Sequence, residues 1–273
     1  MHLIFAKILF PYSLCPIPYA LFPVPKFPVP SSLNLNVNEV HIWRANLDLP
    51  LLQIQQLRQI LSPDEQTRAD RFVFDRDRHH FIAGRGILRQ ILSGYVKIDP
   101  SELQFSYSKQ GKPSLTAGQC DRPVEFNLSH SHGRALYAIA RERKIGIDLE
   151  YIRPTEVQNL AKRFFTPREY EALIQLPSDR QQQAFFHDWT CKEAYLKATG
   201  EGIMGLEQVE VSMNPDKPAK IVTIAGNSRA ASLWELQKLE VASHFGSGYI
   251  AAVAMQPPCN TLKYFQWDDK INN

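Results

Sequence analysis

Cysteine is scarce and scattered. The 273 residues hold four, Cys15, Cys120, Cys191 and Cys259, with no C-x-x-C pair among them. That excludes metal-finger spacing and the dense pattern of a secreted disulfide scaffold, and a reducing cytoplasm is the expected setting. A surplus of one charge is lacking too: 31 Lys plus Arg stand against 28 Asp plus Glu, a formal net charge of +3. So mild a balance gives no reason to expect a nucleic-acid partner, yet it permits a local basic pocket for an anionic ligand. There is no G-x-S-x-G elbow, Walker loop or G-x-G-x-x-G after a strand; Gly200, Gly202 and Gly205 follow a helical pattern and read as a loop. Long apolar runs are missing as well. Pro11, Pro16, Pro18, Pro23, Pro25, Pro28 and Pro30 break the opening stretch before any run reaches the roughly 18 to 20 residues that span a bilayer. No small-residue cleavage site follows, so residues 1–37 are expected to form a Pro-rich, extended leader outside the fold in preference to a short signal or anchor, with no membrane partner.

What is present, with 44% of residues hydrophobic, is enough to bury a sizeable core in one large domain or two small packed halves. From Asn38, EVHIWRANL alternates as a half-buried strand should. Ser62-Pro63-Asp64-Glu65 supplies an N-cap, a proline at the first helical position and early acidic residues, predicting a helix from about Pro63 into a basic stretch. There Phe81, Leu88, Ile91 and Leu92 lie at helical spacing while Arg71, Arg78 and Arg85 recur every seven residues. That face is either a phosphate surface or a solvated one partnered by Asp75 and Asp77. Strands are expected over 103–108, 124–130, 134–140 and 144–152, then a capped helix at Thr166-Pro167 and a longer one from about Ser178 to Thr199, stopped by Gly200. Further strands follow in QVEVSM, KIVTIA, SLWELQKLE and YIAAVAM. Strand, long helix and a run of strands thus occur twice, predicting an α+β fold of two similar halves that meet near residues 150–155.

Three fragments carry chemistry. In IGIDLE the strand period puts Asp148 and Glu150 on one face and Ile147 and Leu149 on the other, core-side one. Paired carboxylates suit Mg²⁺, though D-x-E is also found on ordinary exposed strands. In WTCKEAYLKATG, Trp189, Glu193 and Lys197 fall at i, i+4 and i+8 with Lys192 and Leu196 alongside, which could equally be a Glu193–Lys197 surface pair. FNLSHSHG ends a strand in Ser129, His130, Ser131 and His132, groups able to donate to phosphate oxygens, with no third histidine or cysteine at zinc spacing.

In this order and at these separations, FNLSHS, IGIDLE and WTCKEAYLKATGEG resemble the motifs of the 4′-phosphopantetheinyl transferase superfamily. Gly111-Lys112-Pro113 fits its larger class, typified by the surfactin-synthetase-activating enzyme. The resemblance spans about residues 38–255 and leaves the leader and the tail, 256–273, unexplained. It implies two pseudo-symmetric halves in one chain, 38–152 and 153–255, with the site at their interface and a monomer sufficient. It implies Mg²⁺ held by Asp148, Glu150 and Glu193 against the pyrophosphate of coenzyme A, with Glu193 also taking the proton of a carrier-protein serine. Lys197, assisted by Lys192, would stabilise phosphate, and Ser129, His130 and Lys112 would hold the adenosine and its 3′-phosphate. Arg78 and Arg85 are further candidates for phosphate contact, and Phe164, Phe165 and Tyr170 belong either to a rim for the carrier or to the core. The partners implied are coenzyme A and apo acyl or peptidyl carrier proteins. The rival is a coenzyme A-binding paralogue without activity, against which the intact Asp148, Glu150, Glu193 and Lys197 argue.

Overall fold

The computed structural model describes residues 33–212 and 218–267, so the leader's first 32 residues lie outside the described ones. Its last five, expected outside the fold, belong to it: Leu35 is buried in the first half's core and its carbonyl accepts from Arg141 Nε (2.9 Å). The first half runs β1 (Glu39–Asn46), α1 (Leu51–Gln59), α2 (Pro63–Asp70), α3 (Asp75–Val96), β2 (Phe105–Tyr107), β3 (Pro113–Leu115), β4 (Val124–Ser131) and β5 (Arg134–Arg141). The second begins at β6 (Ile145–Tyr151), which ladders with the second half's sheet, and not after residue 152 as expected. It continues with α4 (Val157–Phe164), α5 (Pro167–Ile174), α6 (Ser178–Thr199), β7 (Val209–Val211), β8 (Ile221–Ile224), β9 (Glu235–Leu239) and β10 (Tyr249–Met255), before a last strand β11 (Thr261–Gln266). Among the described residues no helix is long and apolar enough to cross a membrane.

Two sheets lie face to face between two long helices. One has the order β11-β1-β5-β4 and the other β6-β10-β9. Val40, Ile42, Leu136 and Ala138 from the first share a core with Ile147, Leu149, Ala251 and Val253 from the second. The opposite face of the first sheet, Trp43, Ala45, Tyr137 and Ile139, packs with Ile87, Leu88 and Ile91 of α3. That of the second, Ala252 and Ala254, packs with Ala194, Tyr195 and Ala198 of α6. Strands covered on both faces must be apolar at nearly every position, which is why ALYAIA and YIAAVAM show little alternation.

The halves repeat one another in detail. Both long helices have 22 residues, and both are preceded by a proline-started helix whose N3 glutamate turns back on its own cap. Ser62 N donates to Glu65 Oε2 (3.1 Å), and Thr166 N to Glu169 Oε2 (2.8 Å). Each glutamate then receives a buried cation from the long helix: Arg85 and Arg89 in the first half, Lys192 in the second. Counted from each helix start, Arg89 and Lys192 occupy the same position, and so do Gln90 and Glu193.

Several expectations change. The helix expected from Pro63 breaks after Asp70, leaving Arg71 as its C-cap and starting α3 afresh at Asp75. Arg71 is therefore off the helix on which Arg78 and Arg85, seven residues apart, lie along one side. The tail is no appendage: β11 pairs parallel with β1 from Glu39↔Thr261 to Arg44↔Gln266, and Trp267 Nε1 donates to Gln90 Oε1 (2.9 Å). Of the aromatics left open between rim and core, Phe165 is buried and stacked on Phe185 at 5.1 Å, while Phe164 and Tyr170 are half-buried against the same cluster.

Candidate active site

The two halves join where β4 of the first runs alongside β6 of the second in the same direction, linked by side chains instead of a backbone ladder. Ile147 N donates to Asn127 Oδ1 (2.9 Å), Ser129 Oγ to Asp148 Oδ1 (2.9 Å), and Tyr151 N to Ser131 Oγ (3.1 Å). Alternation along FNLSHS thus sends Asn127, Ser129 and Ser131 to the seam. On β6 the same period sends Ile147 and Leu149 into the shared core and Asp148 to the opposite face, toward α6.

Gly146 sets how closely α6 approaches that face. A Cβ there would lie 2.1 Å from Ala194 O and 2.3 Å from Ala198 N, so any side chain would drive β6 and α6 apart. Gly146→Ala is expected to destabilise the chain by about 1–3 kcal/mol, read as a lowered midpoint of thermal unfolding. Its activity loss should exceed the unfolded fraction, because Asp148 and Glu193 sit on the two elements being separated.

Lys197 reaches across the gap. Its Nζ donates to Asp148 Oδ1 (2.5 Å) and to Ser129 Oγ (2.9 Å), so the local Glu193–Lys197 pair is not what holds it. Asp148 is 2% exposed, and its Oδ2 has no hydrogen-bond partner. Burial and the neighbouring Asp148 charge push the Glu150 carboxyl up to about 7, while Arg153 and Lys197 oppose the shift. Glu193 is raised by burial and Asp148, against the pull of Lys197. Three carboxylates therefore share one corner with one ammonium among them. His130 is lowered by burial, then by the charges of Lys197 and His80, placing α3's start beside this corner as well.

Other sequence candidates go elsewhere. Lys192 is fully buried and bonds Glu169 behind the helix, with its ammonium 4.6 Å from the Phe165 ring centroid. Adjacent residues on a helix point about 100° apart, so Glu193 facing the seam turns Lys192 away from it. Arg85 is buried and forks onto Glu65, reaching Oε1 from Nε at 2.8 Å, and Arg78 pairs with Asp75. Lys112 Nζ donates to Ala198 O (2.9 Å) and Ile145 O (3.1 Å). It thereby ties the β2–β3 hairpin to the carbonyl end of α6, and burial pushes its pKa down to about 8. Trp189 packs against Phe164 and Phe185. Asn127 and Gly146 did not stand out in the sequence, and Glu65 and Glu169 stood out only as parts of helix caps; that each would hold a buried cation was signalled by the recurrence of S-P-D-E as T-P-R-E before each long helix.

Among the described residues no three His, Cys, Asp or Glu side chains are already gathered as a metal cage. The donor set nonetheless fits magnesium, which needs only one or two carboxylates when substrate phosphates complete its shell. The unpartnered Asp148 Oδ2 and the upward shifts of Glu150 and Glu193 mark a place where a hard cation would relieve like charge.

Known proteins carry both halves. Residues 43–143 match the N-terminal region of 4′-phosphopantetheinyl transferases, and residues 144–254 match the 4′-phosphopantetheinyl transferase superfamily. The chain is 50% identical over 213 residues to the 4′-phosphopantetheinyl transferase HetI of a Nostoc species, covering 78% of this chain and 87% of that protein. It is 32% identical over 184 residues to the 4′-phosphopantetheinyl transferase Sfp of Bacillus subtilis, covering 66% and 80%. With the two matches abutting at the seam between β5 and β6 and together spanning the carboxylates, Ser129 and Lys197, the chain belongs to the 4′-phosphopantetheinyl transferase superfamily.

Proposed function

We propose that this transferase moves the 4′-phosphopantetheine arm of coenzyme A to a serine hydroxyl of an apo acyl or peptidyl carrier protein, releasing 3′,5′-ADP. The observation that carries the division of labour is the meeting of Ser129 from one half and Lys197 from the other on Asp148. Asp148, Glu150 and Glu193 would hold Mg²⁺, which when bound neutralises the pyrophosphate. Lys197 exchanges its contact with Asp148 for phosphate oxygens and keeps negative charge stabilised as the phosphoanhydride bond breaks. Ser129 and His130, at the end of β4, donate to the phosphates of the nucleotide side. Glu193, its carboxyl already raised in proton affinity, accepts the proton of the attacking serine while that oxygen bonds to the pantetheine-bearing phosphorus. One chain supplies both sides of the seam, so the monomer is the working unit, in the cytoplasm and without nucleic acid or membrane. Lys192 and Arg85 take no part in phosphate contact, because Glu169 and Glu65 hold them inside the protein.

The test is the intact mass of an apo acyl carrier protein after incubation with the chain, coenzyme A and Mg²⁺. A gain of about 340 Da, the phosphopantetheine increment of a phosphoryl-transfer product, abolished by EDTA, is expected. Coenzyme A binding without mass gain on acyl or peptidyl carriers would instead identify a binding paralogue.

A further inference from the structure

The seam carries an aromatic cluster that none of these roles uses. The β4–β5 connection is a two-residue hairpin turn: Ser131 pairs with Arg134, and His132 and Gly133 have φ of +45° and +73°, as the mirror-image hairpin turns require. The first half holds the turn through Leu47 N donating to Gly133 O (2.8 Å). A Cβ on Gly133 would lie 2.3 Å from Asp48 Oδ2, so the turn is seated closely there. The second half holds its other side by three separate contacts. The His132 ring stacks on Tyr151 with centroids 4.4 Å apart and planes at 30°. Tyr151 N donates to Ser131 Oγ (3.1 Å), and Tyr249 OH donates to His132 O (2.8 Å). Tyr249 in turn meets Tyr151 edge-on at 5.0 Å. Gly248, at φ +99°, lets the backbone pass beneath Tyr151, where a Cβ would stand 3.1 Å from the ring.

The location gives the cluster its meaning. Tyr151 directly follows Glu150 on β6, and the turn directly follows Ser129-His130-Ser131 on β4. Nucleotide-side and carboxylate-side groups therefore sit on two strands from different halves, and the strand ends are joined at this turn. A shift of the turn relative to the second half would change the gap between His130, two residues before it, and Glu150, one residue before Tyr151. From this we infer that Tyr151 and Tyr249 are positioning residues: they clamp the His132 turn to the second half and fix the span between Ser129-His130 and Glu150 that coenzyme A must bridge. The inference rests on the reading of this corner as the coenzyme A site.

Three variants in the full chain test it. Tyr249→Phe deletes one hydroxyl, Tyr151→Leu deletes the stacked ring, and Tyr151→Phe keeps the ring. Coenzyme A binding is measured by calorimetry in Mg²⁺, alongside kcat and KM for transfer and the unfolding midpoint. Tyr249→Phe and Tyr151→Leu are expected to raise the Kd and KM for coenzyme A about three- to tenfold with kcat within about twofold, the range for losing one hydrogen bond or one ring contact in ground-state binding. Tyr151→Phe should return both constants to within about twofold of the wild type. A lowered unfolding midpoint with unchanged Kd in Tyr249→Phe would reduce the cluster to a structural role and overturn the clamp, and it does so even if Tyr151→Leu fails to fold. Failure of the wild-type chain to bind coenzyme A would overturn the reading of the site itself.

Discussion

Glu150→Gln is expected to lower transfer by about 10²- to 10³-fold, the scale for removing one electrostatic element from a preorganised site, while leaving the chain as stable as before or more so in EDTA. The two effects have one cause. Glu150 shares its corner with Asp148 and Glu193, and burial together with the Asp148 charge pushes its carboxyl up to about 7. A group that binds its proton more tightly folded than unfolded adds stability below the ordinary carboxylate range and loses it as pH rises toward 7. The wild-type chain without Mg²⁺ should therefore lose stability between about pH 4.5 and 7, as its folded state gives up that proton. The glutamine variant keeps the volume, exchanges one acceptor oxygen for an amide donor and lacks that titration. Because Glu150 is partly exposed, the difference above pH 7 is set at about 1 kcal/mol after solvent screening. Added Mg²⁺ should raise the unfolding midpoint of the wild type and do much less for the variant. Thermal unfolding across pH, with and without Mg²⁺, checks all of this. A glutamine variant with near-normal turnover would remove Glu150 from the metal set.

Lys192→Met should behave in the opposite way, costing about 3–5 kcal/mol of stability, as expected when one partner of a buried ion pair is removed, with KM for coenzyme A unchanged in the protein that remains folded. Glu169 is 1% exposed. It caps α5 through Thr166 N and accepts from Val211 N (2.7 Å) as well as from Lys192. Without Lys192 its charge keeps only two backbone amides, those of Thr166 and Val211, with no cation bonded to it. Lys192→Met with Glu169→Gln should recover part of the loss, since neither residue then leaves a bare buried charge. Chemical denaturation of the single and double variants measures the coupling. A higher KM for coenzyme A in folded Lys192→Met would restore Lys192 to the phosphate contacts.

What the sequence made legible was local. The helix caps at Ser62 and Thr166, the stop at Gly200 and the alternation in IGIDLE depend on a few neighbouring residues, and each lies where chain chemistry put it. The convergence of Ser129, Asp148 and Lys197 followed from motif order and not from spacing, since those residues are 19 to 68 positions apart. Lys192 and Arg85 misled because a lysine beside a chemical glutamate, or an arginine in a basic stretch, reads the same whether it faces solvent or a buried carboxylate. Only the partners Glu169 and Glu65, 23 and 20 residues away, decide it. α1 was missed because LLQIQQLRQ buries Gln53 and Gln56 beside Ile54 and Leu57 and exposes Leu51 and Leu52, blurring the usual apolar signal. The tail was missed because a single six-residue strand announces no partner.

That last strand bears on the order in which the molecule can be built. A ribosome delivers β1 and β5 more than a hundred residues before β11, so the first sheet waits through most of synthesis with one edge of β1 unpaired, a row of amide and carbonyl groups open to other strands. β4 meets its neighbour β6 almost at once, whereas β1 meets β11 only at the finish. Cutting the chain at the seam would give an amino-terminal fragment missing the strand that closes its sheet, and a carboxyl-terminal fragment carrying that strand with nothing to pair it to.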